Sequence, residues 1–280
     1  MSSLSYKILT KSVGFLLNTL SIFNPKKAAK IAYGLHSKPR IGKISEGQIP
    51  EILQTAVQKI FLTNNLEYQT YTWAGSQETI LLMHGWESNS ARWQQLLPYL
   101  LATQKTIIAL DAPAHGRSGD DSFSVPKYAK IINEFSKTTK IDHIIAHSIG
   151  GAAAIFYQHK YQNPDLKKML ILGAPSDLQV LIDNFTKLMG FSNHLKKHLE
   201  TEFSTNVGLA ISDFSAQKFA QTIAIPTLVV HDQNDTVVAF GESQKIIKNW
   251  KNVTFLETKN LGHSMHDAQL YQTIVNYLEL

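Results

Sequence analysis

The feature that most constrains this chain is a rhythm beginning near Tyr68: short apolar runs, each closed by glycine, aspartate or histidine and followed by a helical pattern. Apolar runs of about four to eight residues bounded by turn signals fit strands buried on both faces. Joined by helices, such strands form a parallel sheet with crossover connections. Strands are expected over residues 67–73, 79–83, 106–110, 143–147, 168–172, 227–231 and 253–257. The implied architecture is α/β, a doubly wound and mostly parallel sheet, in which ligands bind at the carboxyl ends of the strands.

The alternation breaks once. Residues 176–222 show helical patterns and no strand, far more chain than a crossover needs, and read as an inserted helical cap over the strand ends. Two amphipathic patterns precede the sheet. In residues 4–23, Leu9, Val13, Leu16, Leu17 and Leu20 share one side, with Lys7, Lys11 and Asn18 on the other. In residues 50–61, Leu53, Ala56, Val57, Ile60 and Phe61 form a second helical stripe, and Pro50 suits a first helical turn. The expected organisation is an N-terminal basic helical extension over residues 1–66, then a body over residues 67–280 carrying the insertion at about 176–222.

Charge is distributed unevenly. The formal net charge is +5, but Lys7, Lys11, Lys26, Lys27, Lys30, Lys38, Arg40 and Lys43 all fall before the first acid, leaving −3 for the remainder. The basic stretch lacks interleaved stacking aromatics, so no nucleic-acid partner is expected. Packing on the body is its preferred role, ahead of peripheral contact with an anionic membrane surface or self-association; the oligomeric state stays open. The apolar residues 13–23 are interrupted by Asn18, too few to span a bilayer, and not followed by a small-x-small cleavage site. Neither a transmembrane helix nor a signal peptide is expected, and the location expected is cytoplasmic. With no cysteine, disulfides, thiol nucleophiles and thiolate metal sites are excluded.

The sharpest chemical signal is Ala146-His147-Ser148-Ile149-Gly150-Gly151, between an expected strand and the small-residue run Ala152, Ala153, Ala154. A serine on a sharp strand-to-helix turn needs small residues two positions either side, and Ala146 and Gly150 meet that need. Standing at a helix N-terminus, it faces amides and a dipole that favour developing negative charge. A serine hydroxyl is a poor nucleophile unless a base lies within reach and an acid fixes that base's tautomer. His263 follows the last strand after Gly262, and Asp235 follows the strand at residues 227–231. Asp232 follows the same strand, but Asp235 lies farther beyond its end and is preferred. Ser264 and Asp267 could form a capping box ahead of the last helix, compatibly with catalysis by His263. His231, His266, His159, His194 and His198 read as surface or core residues. Two amides are needed for an oxyanion. Ile149 N–H supplies one, and the turn Met83-His84-Gly85-Trp86 offers Trp86 N–H as the other.

Taken in order, His84-Gly85-Trp86, the stretch from Asp111 to Ser118, the serine turn, the stretch from His231 to Asp235 and Gly262-His263 resemble the α/β-hydrolase superfamily from roughly residue 79 onward. The resemblance implies that fold, a serine hydrolase mechanism on Ser148, His263 and Asp235, and a cap after the sixth core strand. Residues 111–118 are then structural. Ala146 in place of glycine, and Asp232 where glycine often precedes the acid, depart from the pattern without removing a catalytic group. The expected activity is cleavage of an ester-like bond in a small lipophilic substrate, with no metal or organic cofactor required. Leu178, Val180, Leu181, Phe185, Leu188, Met189, Phe191, Phe203 and Phe214 offer apolar lining, some of them also holding the cap together. Amide, peptide and carbon–carbon cleavage use the same three residues, and a non-catalytic small-molecule-binding homologue is the reading from another class.

Overall fold

The computed structural model describes residues 3–63, 65–76 and 78–279. Its strands are β1 (Val57–Thr63), β2 (Leu66–Trp73), β3 (Thr79–Met83), β4 (Thr106–Leu110), β5 (His143–His147), β6 (Lys168–Leu172), β7 (Thr227–Asp232) and β8 (Val253–Thr258). Its helices are α1 (Ser3–Phe23), α2 (Pro25–Ser37), α3 (Glu51–Gln54), α4 (Leu97–Leu101), α5 (Val125–Ser136), α6 (Ile149–Tyr161), α7 (Leu178–Met189), α8 (Asn193–Val207), α9 (Ala216–Ala220), α10 (Gly241–Ile247) and α11 (Ala268–Glu279). Two compact units separate: Pro39–Ser176 with Ala216–Leu280, and Met1–Lys38 with Asp177–Ser215.

The larger unit is built on one sheet in the order β1-β2-β4-β3-β5-β6-β7-β8. β2 runs antiparallel to β1 and β4, and the pairs from β4 to β8 are parallel. Leu81, Leu82, Ile144 and Ile145 have no exposed surface, although sequence neighbours in a strand point to opposite faces. Both faces of the central strands are therefore covered, which is why these strands read as continuous apolar runs. The order also brings the carboxyl ends of β3, β5, β7 and β8, and the turns that follow them, to one edge.

The helix expected over residues 50–61 is corrected. Helix α3 lasts one turn, and the chain then enters β1, where Val57 pairs with Thr72 and Thr63 with Leu66. The stripe of Leu53, Ala56, Val57, Ile60 and Phe61 was a coincidence of spacing. Ladder bonds to β2 override it, and the ring of Phe61 meets Phe135 of α5 edge-on at 5.5 Å. The capping box is corrected as well: Asp267 itself caps α11, its Oδ1 accepting from Leu270 N–H at 2.8 Å.

In the smaller unit α1 and α2 pack with α7 and α8. Helix α1 docks through small and polar residues. Gly14 lies so close to the Met189 backbone that a Cβ there would overlap its carbonyl. Asn18 brackets the turn between α7 and α8, donating to Gly190 O at 2.9 Å and accepting from Ser192 N–H at 2.8 Å. Lys11 Nζ donates to Lys187 O at 2.7 Å. This rotates the helix from the expected orientation: Lys11 and Asn18 bond to α7 and its following turn, Leu9 and Leu16 are exposed, Val13 and Leu20 are half-buried, and of the expected stripe only Leu17 is buried. Helix α2 meets α8 through Tyr33, edge-on to Phe203 at 5.0 Å, and His36 contacts both Phe185 and Phe203. Phe185 and Phe203, named as candidate pocket lining, are thus engaged in helix packing.

Candidate active site

The turn from β5 into α6 puts Ser148 at φ 55°, ψ −127°, a conformation that side-chain-bearing residues rarely adopt. Its neighbours explain how the turn closes. Ser148 N–H donates to Leu172 O at 2.8 Å. A Cβ on Gly150 would stand 2.5 Å from His84 O and 2.7 Å from Met83 O, so only glycine fits there. Ala146 is fully buried.

The structure brings the three expected side chains together. His263 Nε2 lies 3.0 Å from Ser148 Oγ, and His263 Nδ1 lies 2.7 Å from Asp235 Oδ2. The other carboxylate oxygen, Oδ1, accepts from the Val237 and Val238 amides at 2.8 and 2.9 Å. Burial opposes ionisation of Asp235, but hydrogen bonds from His231, His263 and those two amides outweigh it and hold the carboxyl well below its usual range. A persistent carboxylate on Nδ1 calls for a proton there, leaving the Nε2 lone pair to accept the serine hydroxyl.

Asp232 has a different task. Its oxygens accept from Asn234 N–H at 2.9 Å, Gly262 N–H at 3.1 Å, Leu261 N–H at 3.0 Å and Thr258 Oγ1 at 2.9 Å. It pins the loop carrying His263 and does not touch the imidazole's partner oxygen.

The turn after β3 lies against the serine turn: a Cβ on Gly85 would be 2.9 Å from Ser148 Cβ. His84 braces it, donating from Nδ1 to Gly85 O at 2.8 Å and accepting Ala112 N–H at Nε2, 2.9 Å away. Burial lowers its pKa to about 4, consistent with the neutral ring those contacts require. Trp86 follows Gly85, its ring edge-on to His115 and Phe123. Ile149 opens α6, so its N–H has no acceptor within the helix. Asp111, expected to be structural, is buried and accepts from Ser90, Arg117 N–H and Tyr71 OH.

Three contributors escaped sequence reading. His147 Nε2 lies 2.8 Å from the carbonyl of His263, with the two rings 4.7 Å apart. Its position directly before the serine was the available signal. Burial, then the charge of Arg92, hold His147 well below the usual histidine pKa, so the neutral ring donates from Nε2. Arg92 donates to Ser264 O at 3.2 Å. His231, classed with the surface or core histidines, is wholly buried, with Nε2 2.9 Å from Val238 O and 3.4 Å from Asp235 Oδ2. Nothing local in sequence marks Arg92 or His231. Among the described residues no cluster of three histidine, aspartate or glutamate side chains suits a metal ion.

Comparison with known proteins agrees with this frame. A family model described as alpha/beta hydrolase fold matches residues 78–208. An uncharacterized protein of Mycobacterium tuberculosis is 35% identical over 116 residues, covering 39% of this chain and 33% of that protein, so the match spans a third of the relative's length. A bifunctional esterase/perhydrolase of Acinetobacter calcoaceticus is 23% identical over 229 residues, covering 63% of this chain and 82% of that one. Among solved structures, an esterase from Exiguobacterium antarcticum superposes with a TM-score of 0.64 at 17% identity, covering 80% of this chain and 100% of its own. The chain has the α/β-hydrolase fold.

Proposed function

We propose that this protein is a serine hydrolase that cleaves an ester-like bond of a small substrate through an acyl-enzyme. The observation that carries the reading is the hydrogen-bonded series Ser148 Oγ, His263, Asp235, at 3.0 and 2.7 Å, on a serine held at positive φ. Ser148 Oγ attacks the carbonyl carbon while His263 Nε2 takes the hydroxyl proton. The carbonyl π electrons move onto oxygen, where the amides of Ile149 and Trp86 receive the charge. Collapse expels the alkoxide, which collects the proton from His263. Water then repeats the sequence on the acyl-enzyme: His263 takes its proton, and the carboxylic acid leaves as Ser148 is re-protonated. Asp235 stays ionised and stabilises the imidazolium.

The esterase names among the relatives support the ester class. The preference for lipophilic acyl groups rests on the amino-acid sequence of the insertion alone. The test pairs labelling by a fluorophosphonate probe with turnover of p-nitrophenyl esters of graded chain length. The expected result is labelling at Ser148 and an esterase rate that falls on the order of 10⁴-fold or more in Ser148→Ala, with the fold intact. A probe that never reacts with the folded protein would refute the hydrolase reading in favour of a binding protein. Labelling with turnover of amides but not esters would reassign the bond.

A further inference from the structure

Helix α1 turns its bulky side away from the protein. At about 100° per residue, Thr10, Gly14, Leu17 and Ser21 share one face, and these are buried. The opposite face carries two rows spaced by seven, Ile8, Phe15, Ile22 and Leu9, Leu16, Phe23. Their exposures are 59, 70 and 72% for the first row and 51, 65 and 82% for the second. Scattered exposed apolar residues are ordinary, but six on one side of a single helix, in two rows flanking Ser12 and Thr19, concentrate apolar surface on one face. The hydrophobic face of an amphipathic helix normally faces the core; here close packing against Met189 and Gly190 uses the small, polar face instead.

The surrounding charge states what would cover such a patch. Exposed Lys7 borders it, and exposed Lys26, Lys27 and Lys30 follow where α1 gives way to α2. No acidic residue occurs before Glu46. Among the described residues no helix is long and apolar enough to cross a membrane, so α1 would lie in an interface. A second copy would bring two equally basic stretches together, whereas an anionic surface is complementary to both features at once.

We propose that α1 is an interfacial helix that seats this protein on an anionic lipid bilayer. Ile8, Leu9, Phe15, Leu16, Ile22 and Phe23 enter the boundary between headgroups and acyl chains, and the lysines meet the anionic headgroups. The docking face of α1 is left undisturbed, and the chemistry at Ser148 is not involved.

The test is co-sedimentation of the full chain with vesicles of phosphatidylcholine and phosphatidylglycerol in equal parts, against pure phosphatidylcholine, with sedimentation velocity in the absence of lipid. The expected result is binding to the anionic vesicles that weakens with salt and is much poorer on the neutral ones. Phe15→Ser with Phe23→Ser should lower partitioning roughly tenfold or more while keeping the thermal midpoint, because both side chains are already in water. Lys26→Glu with Lys27→Glu should reduce it by a similar factor on anionic vesicles and little on neutral ones. No binding to anionic vesicles, or equal binding by the double phenylalanine variant, overturns the proposal. A lipid-free dimer that this variant dissociates would assign the patch to a second copy, overturning it equally.

Discussion

His147 Nε2 sits 2.8 Å from the backbone carbonyl of His263, so the residue before Ser148 holds the main chain of the residue whose imidazole meets the Ser148 hydroxyl. The turn that positions Ser148 thereby also positions His263. A register error in one would move both.

Replacing His147 tests that coupling. His147→Ala leaves the His263 carbonyl without this donor and opens space beside the imidazole. The expected effect is a fall in kcat of about 10- to 100-fold with KM little changed, because geometry and not substrate affinity is lost. His147→Gln, which keeps a donor, should recover part of the rate. Steady-state kinetics decide this: a kcat for the alanine variant within twofold of the wild type would show that Arg92 and Asp232 suffice to hold the loop.

Asp232 and Asp235, three residues apart, should respond in opposite ways. Asp235→Asn offers the imidazole an amide in place of a carboxylate and should cost about 10⁴-fold in kcat with modest change in stability. Asp232→Ala removes the acceptor of four hydrogen bonds at a fully buried position and should destabilise by on the order of 2–4 kcal/mol. Urea unfolding beside ester turnover separates the two. Equal loss of stability in both variants would contradict the division of labour described for them.

Stability should fall in mild acid as two buried histidines are called on to take up protons. His84 and His115 are buried in contacts that need the neutral ring, and burial lowers both from 6.5 to about 4. The unfolded chain binds these protons near pH 6.5 while the folded protein resists them until about 4. Their contribution is therefore complete above pH 6.5 and shrinks as pH falls through that window, by ~1.4 kcal/mol per pH unit for each ring. Asp232, held below the usual carboxylate range, contributes above that range and is lost only at lower pH. Thermal midpoints between pH 7 and 4 check this, and His84→Gln should flatten the slope. A midpoint constant down to about pH 4 would refute it.

How far the amino-acid sequence could be read depended on whether an element's signal is local. Strands β3, β4, β5 and β6 have the expected bounds, because strands buried on both faces are written as uninterrupted apolar runs. The serine turn is equally local: Ala146, Ser148 and Gly150 satisfy steric demands within five residues. Residues 57–63 carried no such mark. Their apolar positions fit a helix as well as a strand, and the decision lay with β2, the partner across the hairpin.

The sequence by itself therefore determined the candidate side chains for chemistry and the kind of sheet that presents them, since both follow from near-neighbour sterics and hydrophobic pattern. Tertiary structure alone decided which aspartate meets His263, which buried side chains hold that loop, and which face of the first helix points outward. These depend on contacts between residues distant in the chain, where packing distance and hydrogen-bond direction choose among options that local preference leaves equal.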